Sequence, residues 1–315
     1  MISGGVLWPY VAGGSILITG LATASKNKCW QASGFNKFIL FGPMLLAIAI
    51  AIFGADHLTA AKSVAQVVPP WMPGRLFWTY FVGVALIAAA MSLATGINRR
   101  LAAALLGIMI FLFVLMIHIP SCFTVPYDKT RLTIVLRDLT LSAGALAFAA
   151  TQAEHARARR TPGQRQRFSL QTLNSKVITI ARFLIAISIA VFGVDEFLYP
   201  TFAPGIPQEG PAFVTMPAWI PGHVFWAYLT GILFVVCAIG LMSRKHARSA
   251  ATVLGLTVLI LALFVYLPLT VVKASDIANG LNYLAIHFAL SGAAFLLAGA
   301  LPVKAADQPA AAELR

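Results

Sequence analysis

The sequence predicts an all-α polytopic membrane protein of about nine transmembrane helices, and three observations carry that reading. Of 315 residues, 59% are hydrophobic and only 10% charged, whereas soluble proteins carry about 25% charged residues. Mean hydropathy is +0.85. Apolar runs of about 20 residues recur along the chain, each long enough at 1.5 Å per residue to cross a hydrocarbon core of roughly 30 Å. Little room is left for a water-soluble fold.

The runs fall at about 4–24, 38–57, 76–96, 101–119, 132–150, 177–196, 223–242, 249–268 and 282–301. The first ends in Ala22-Thr23-Ala24, which has the small-residue form of a cleavage site. Yet Met1-Ile2-Ser3 offers no positive segment before it, and Lys26 and Lys28 follow at once, so it reads as a retained helix. Basic residues alternate between connections: Lys26, Lys28 and Lys37, then Arg99 and Arg100, then 157–176, then Arg244, Lys245 and Arg248. By the positive-inside rule these face the cytoplasm, giving a multi-pass protein of the plasma (inner) membrane with its N-terminus outside and its C-terminus inside.

The net charge of +13 then acquires a meaning. With Arg182 taken to snorkel to the inner boundary, 17 basic and three acidic residues fall on the inner side, and six basic and seven acidic on the outer. The basicity orients helices and argues against nucleic acid as a partner.

The chain also resembles itself. Phe53-Gly54-Ala55-Asp56 matches Phe192-Gly193-Val194-Asp195 at an offset of 139, and residues 69–80 (PPWMPGRLFWTY) match 217–228 (PAWIPGHVFWAY) at an offset of 148. Gly107 with Gly255, Pro120 with Pro268 and Leu141-Ser142 with Leu290-Ser291 continue the series. Four spans lie in each copy and both copies start from the same side, as expected of parallel repeats. The resulting organisation is 1–34, an extra N-terminal helix and loop; 35–152, the first copy; 153–173, a basic cytoplasmic linker suited to contact with anionic lipid; 174–302, the second copy; and 303–315, a tail. Small residues in Tyr10-Val11-Ala12-Gly13-Gly14-Ser15 resemble those of the first copy's fourth helix. If the N-terminal helix is the remnant of a third copy, it should pack as a fourth helix does.

Together, FG-x-D-[HE], P-x-W-[MI]-P-G-x-x-FW-x-Y, an arginine-interrupted helix pair, a His/Tyr-x-Pro end and a small-residue fourth helix resemble the DoxX-like family of four-helix membrane proteins. The resemblance covers both copies and implies a tandem pair of parallel four-helix DoxX-like bundles plus the N-terminal helix. Relatives in that superfamily include a subunit of a thiosulfate:quinone oxidoreductase and a protein tied to methylamine dehydrogenase maturation. No catalytic residue set comes with the resemblance.

Candidate site residues are the ionisable groups at the outer helix ends, because charge in lipid normally faces a bundle interior or a water-filled cavity. In the first copy these are Asp56, His57, His118, Arg137 and Asp138; in the second, Asp195, Glu196, Tyr266 and His287. Trp71, Trp78, Trp219 and Trp226 stand at the same depth, as an aromatic belt or as the lip of a headgroup site. Asp56, His57, His118 and Asp138 supply imidazole and carboxylate groups, but in neither HxxxH nor HxxE spacing, so no metal site is assigned. Haem held by His57 and His118 is disfavoured because the second copy has Glu196 and Tyr266 there. Of the ligands, a quinone headgroup, which needs a histidine, a carboxylate and aromatic walls, suits these groups best; the other reading is that contacts of Asp138 with Arg137 and of histidine with aspartate hold the helix ends together and cap backbone groups. Cys29, Cys122 and Cys237 form no pair.

The function expected is therefore a redox-associated, quinone-interacting membrane subunit acting with a redox partner protein, in the lipid bilayer and open to homo-oligomerisation. A small-solute or proton-coupled transporter with its pathway between the copies is the alternative, and a non-catalytic membrane scaffold is a third. Whether the chain is itself an enzyme stays open at this stage.

Overall fold

The computed structural model describes residues 4–26, 34–124, 129–158, 167–205, 216–277 and 280–302. Cys29, the centre of the linker at 159–166 and the tail from 303 onward lie outside the described residues. Nine helices long and apolar enough to cross a membrane are present among them: α1 Gly4–Lys26, α2 Gly42–Thr59, α3 Arg75–Thr95, α4 Arg99–Thr124, α5 Lys129–Ala158, α6 Arg167–Leu198, α7 His223–Met242, α8 Ala247–Val272 and α9 Leu281–Ala300. The chain is a polytopic all-α integral membrane protein. Its outward faces carry apolar side chains such as Ile108, Phe111, Leu115, Val236, Ile239 and Phe264, as contact with lipid tails requires.

Sequence chemistry explains how the helices begin and bend. Gly74 (φ 67°) and Gly222 (φ 71°) precede α3 and α7 in the left-handed region, where a Cβ would be strained. The first indole of each helix then folds back: Trp78 Nε1–H donates to Pro73 O at 3.1 Å, and Trp226 Nε1–H to Pro221 O at 3.0 Å. Pro120 and Pro268, expected near span ends, do not stop α4 or α8. Each follows a π-helical turn, Val114–His118 or Ala262–Tyr266, because the ring removes one N–H and displaces a carbonyl, and a widened turn absorbs both. Those turns hold His118 and Tyr266. Nor do α5 and α6 end with their apolar spans: both run on into the linker, to Ala158 and from Arg167.

Close approach between helices depends on small residues, the usual route to van der Waals packing in a membrane. A Cβ on Gly54 would meet Gly83 O at 3.0 Å, and one on Gly193 would meet Gly231 O at 3.0 Å. The Ser142 hydroxyl donates to Gly107 O at 2.8 Å, tying α5 to α4; the Ser291 hydroxyl donates to Gly255 O at 2.8 Å, tying α9 to α8.

The eight helices after α1 form a closed ring in chain order, α2 through α9, with α9 returning to α2. It is pinched where α5 meets α9, at Gly144 against Ala293. The two halves therefore interlock: α5 packs on α6 and α9 on α2, so the fourth helix of each half leans on the first helix of the other. For α9, 83% of the central window is buried, against 67% for α5 and 22% for α1. The N-terminal helix lies at the periphery on α2 and α3, and its Tyr10 hydroxyl donates to Ala274 O at 3.1 Å. It packs unlike either fourth helix, which removes the structural support for a remnant third copy.

Alternating helix direction sorts the polar residues between two ends of the molecule. One carries Trp71, Trp78, Trp219 and Trp226, the other Arg99, Arg100, Arg244 and Lys245; these are called the Trp-rich and Arg-rich ends. Arg182, expected near the inner boundary, is toward the Arg-rich end and 6% exposed.

Candidate functional site

In the first half the π turn of α4 brings His118 to the third turn of α5. Its Nε2 lies 3.0 Å from Asp138 Oδ2, and Arg137 Nε donates to Asp138 Oδ1 at 2.8 Å. Asp138 is buried, while His118 and Arg137 are each partly exposed. A carboxylate taken out of water needs both kinds of compensation it has here, a cation and hydrogen-bond donors. Arg131, two turns earlier on α5, donates to Ser121 O at 2.7 Å and to Thr124 Oγ1 at 2.8 Å. It fastens the α4 segment beyond Pro120 over this site. The Cys122 thiol donates to His118 O at 3.3 Å.

The other members expected in this cluster turn elsewhere. Asp56 is hydrogen-bonded to Asn282 of α9, across the junction between halves. His57 Nδ1–H donates to Phe53 O of its own helix at 2.7 Å. Of the groups that could have gathered round a metal, only His118 and Asp138 meet, and among the described residues no group of three or more His, Cys, Asp or Glu could hold one.

The corresponding positions of the second half make a different object. Tyr266, 148 residues after His118, stacks on His287, 149 after Asp138, with ring centroids 3.7 Å apart and planes at 20°. Tyr283, one turn before His287, also stacks with Tyr266, with ring centroids 6.1 Å apart. The Tyr266 hydroxyl donates to Pro204 O at 2.9 Å, and Gly205 N–H donates to the buried Glu196 carboxylate. His287 Nδ1–H donates to Tyr283 O at 2.8 Å. This leaves Nε2 with its lone pair, fully buried and without a partner.

Residues 202–205 thus seal the second cluster. Gly205 takes φ 133°, and a Cβ there would collide with His287 Nε2. Asp195 is half-buried beside Glu196. Tyr266 and His287 are essentially inaccessible, at 1% and 0% exposure. The sequence contained a signal for Tyr283, which stands four residues before His287 on one helical face, and none for Asn282 or Gly205.

Of the four tryptophans, Trp78 and Trp226 spend their N–H groups on their own helix starts, with Phe77 and Phe225 edge-on at 5.3 and 5.2 Å. Trp71 and Trp219 are exposed, as befits side chains at a membrane boundary.

Residues 46–152 are similar to a domain of unknown function, DUF8561. The matched segment runs through α2 to α5 and contains Asp56, His57, His118, Arg137 and Asp138, and none of the sealed cluster. No curated protein and no solved structure matches the chain.

Proposed function

We propose that this protein is a tandem DoxX-like membrane subunit that takes a quinone-type headgroup at its Trp-rich end and works with a redox partner. The observation that carries the proposal is the pair formed by His118 and Asp138. It is a histidine fixed by a buried carboxylate, partly open to its surroundings and set in a π turn, a backbone feature often found at functional sites. In this reading His118 donates a hydrogen bond to, or exchanges a proton with, a headgroup oxygen. Asp138 sets the orientation of the imidazole. Arg137 holds the other oxygen of Asp138. The matching Ser142 and Ser291 bonds, the paired π turns and the paired tryptophan caps support descent of the halves from one duplicated unit. The distribution of basic residues supports placing the Trp-rich end outside the plasma (inner) membrane.

The transporter alternative fits less well. Its pathway would run between the halves, yet Gly144 packs tightly against Ala293, and Asp56, Asp138, Asp195, Glu196 and Asp276 lie toward one end. The scaffold reading is favoured by one specific observation, the internal bonding of Glu196, Tyr266 and His287, and it describes the second half. Purification in mild detergent followed by quinone extraction tests the proposal. Quinone recovered with wild type and lost with His118→Ala supports it; quinone absent from wild type, or retained by the variant, contradicts it.

A further inference from the structure

The Arg-rich end holds a buried cation that the quinone proposal does not use. Arg182 is 6% exposed, on the same inward face of α6 as Ile185, Ile189 and Phe192. Its Nε–H has no hydrogen-bond partner, and its guanidinium rests over the Phe183 ring at 4.8 Å. Among the described residues the charge that acts on it is that of Arg244, of the same sign.

Register explains the neighbourhood. Gly193 packs against Gly231 where α6 and α7 run antiparallel. Arg182 stands eleven residues before Gly193, and Met242 eleven after Gly231. The guanidinium is therefore level with the last turn of α7, beside the turn that carries Arg244, at the boundary of the apolar layer. Asp56, Asp138, Asp195, Glu196 and Asp276 all lie at the opposite end. Glu154 is near the linker end of α5, while Arg182 is fifteen residues into α6, roughly 22 Å of helix from its start. A second buried donor without an acceptor, Asn174 Nδ2, lies toward the same end of α6.

Among the described residues no acid stands between these two arginines, and their like charges repel. A buried guanidinium whose Nε–H lacks an acceptor is unfavourable. The position that Arg182 matches in the first half, at the offset of 139, is Pro43, so the cation is not inherited packing shared by both halves. An anion with several acceptor oxygens would pair with the guanidinium fork of Arg182, engage Arg244 and relieve the repulsion. We propose that Arg182 and Arg244 form a binding site for a phosphate group at the Arg-rich end of the second half, supplied either by an acidic phospholipid or by free phosphate.

Thermal unfolding of the full chain in nanodiscs tests this and separates the two sources. The arms are phosphatidylcholine alone, phosphatidylcholine doped with phosphatidylglycerol, and phosphatidylcholine with inorganic phosphate replacing chloride at matched ionic strength. A rise in Tm in the second arm alone identifies lipid, and a rise in the third identifies the free anion. In either case Arg182→Met abolishes the rise, while Lys26→Gln, on peripheral α1, retains it. Native mass spectrometry then shows phosphatidylglycerol or phosphate affinity falling about tenfold or more in the variant, the loss of one charge-assisted hydrogen bond. Should Arg182→Met fail to fold, the exposed Arg244→Gln carries the test and loses part of the rise. No rise in either arm, or a rise that survives the Arg182 or Arg244 substitution, overturns the proposal.

Discussion

At matching positions, the first half places His118 against Asp138 at 3.0 Å, and the second places Tyr266 against His287 at 3.7 Å between ring centroids. The helices, the π turns and the serine bonds that hold them are the same, so the difference is one of side-chain chemistry. An imidazole and a carboxylate attract through charge and keep a polar face toward their surroundings. A phenol and an imidazole stack, exclude water, and find their hydrogen bonds in a cap of chain at 202–205. One scaffold position thus supports an accessible polar pair in one half and a sealed core in the other, which is why only the first is assigned a ligand.

The largest effect is expected where the seal is tightest. Gly205→Ala sets a Cβ against His287 Nε2 at a backbone angle that side chains rarely adopt, and should cost about 3 kcal/mol or more, read as a lowered unfolding midpoint in detergent. A neutral result would mean that the cap is not fixed over His287. Asp138→Ala leaves Arg137 and His118 without their counter-charge and should cost about 3 kcal/mol as well. Asp138→Asn, which preserves volume and an acceptor oxygen but not the charge, should cost less than Asp138→Ala while still losing quinone. Tyr266→Phe removes the hydroxyl bond to Pro204 and should cost about 1 kcal/mol without touching quinone binding; a loss of quinone there would erase the distinction between halves. Smallest, and most informative about equivalence, are Ser142→Ala and Ser291→Ala, each about 0.6 kcal/mol and equal within error. A clear inequality would show that the two serine bonds are not doing the same job.

Much of this architecture was legible in the sequence because hydropathy and residue spacing act locally. The nine spans follow from apolar length, and the matched segments at 69–80 and 217–228 form matched helix starts, whose indole bonds to Pro73 and Pro221 the spacing did not announce. The depth of the polar residues was legible too, since their distance from a helix end is simple arithmetic. Their partners were not, because pairing depends on rotation about a helix axis and on which helices become neighbours. Asp56 lies at the right level to join His118, yet α9 returns to α2, so its bond goes to Asn282 instead. The depth of Arg182 near the Arg-rich end followed from the same arithmetic, but not its burial, at 6% exposure, among neighbouring side chains. The cap over His287 comes from a loop without periodicity, and no pattern in the sequence announces it.

The most direct test of the account is binding of a short-chain quinone to the protein in nanodiscs, followed by tryptophan quenching, for wild type, His118→Ala and Tyr266→Phe side by side. Saturable binding by wild type and Tyr266→Phe, with His118→Ala weakened about tenfold or more, is the predicted result. Equal binding by all three, or no saturable binding by wild type, would contradict it.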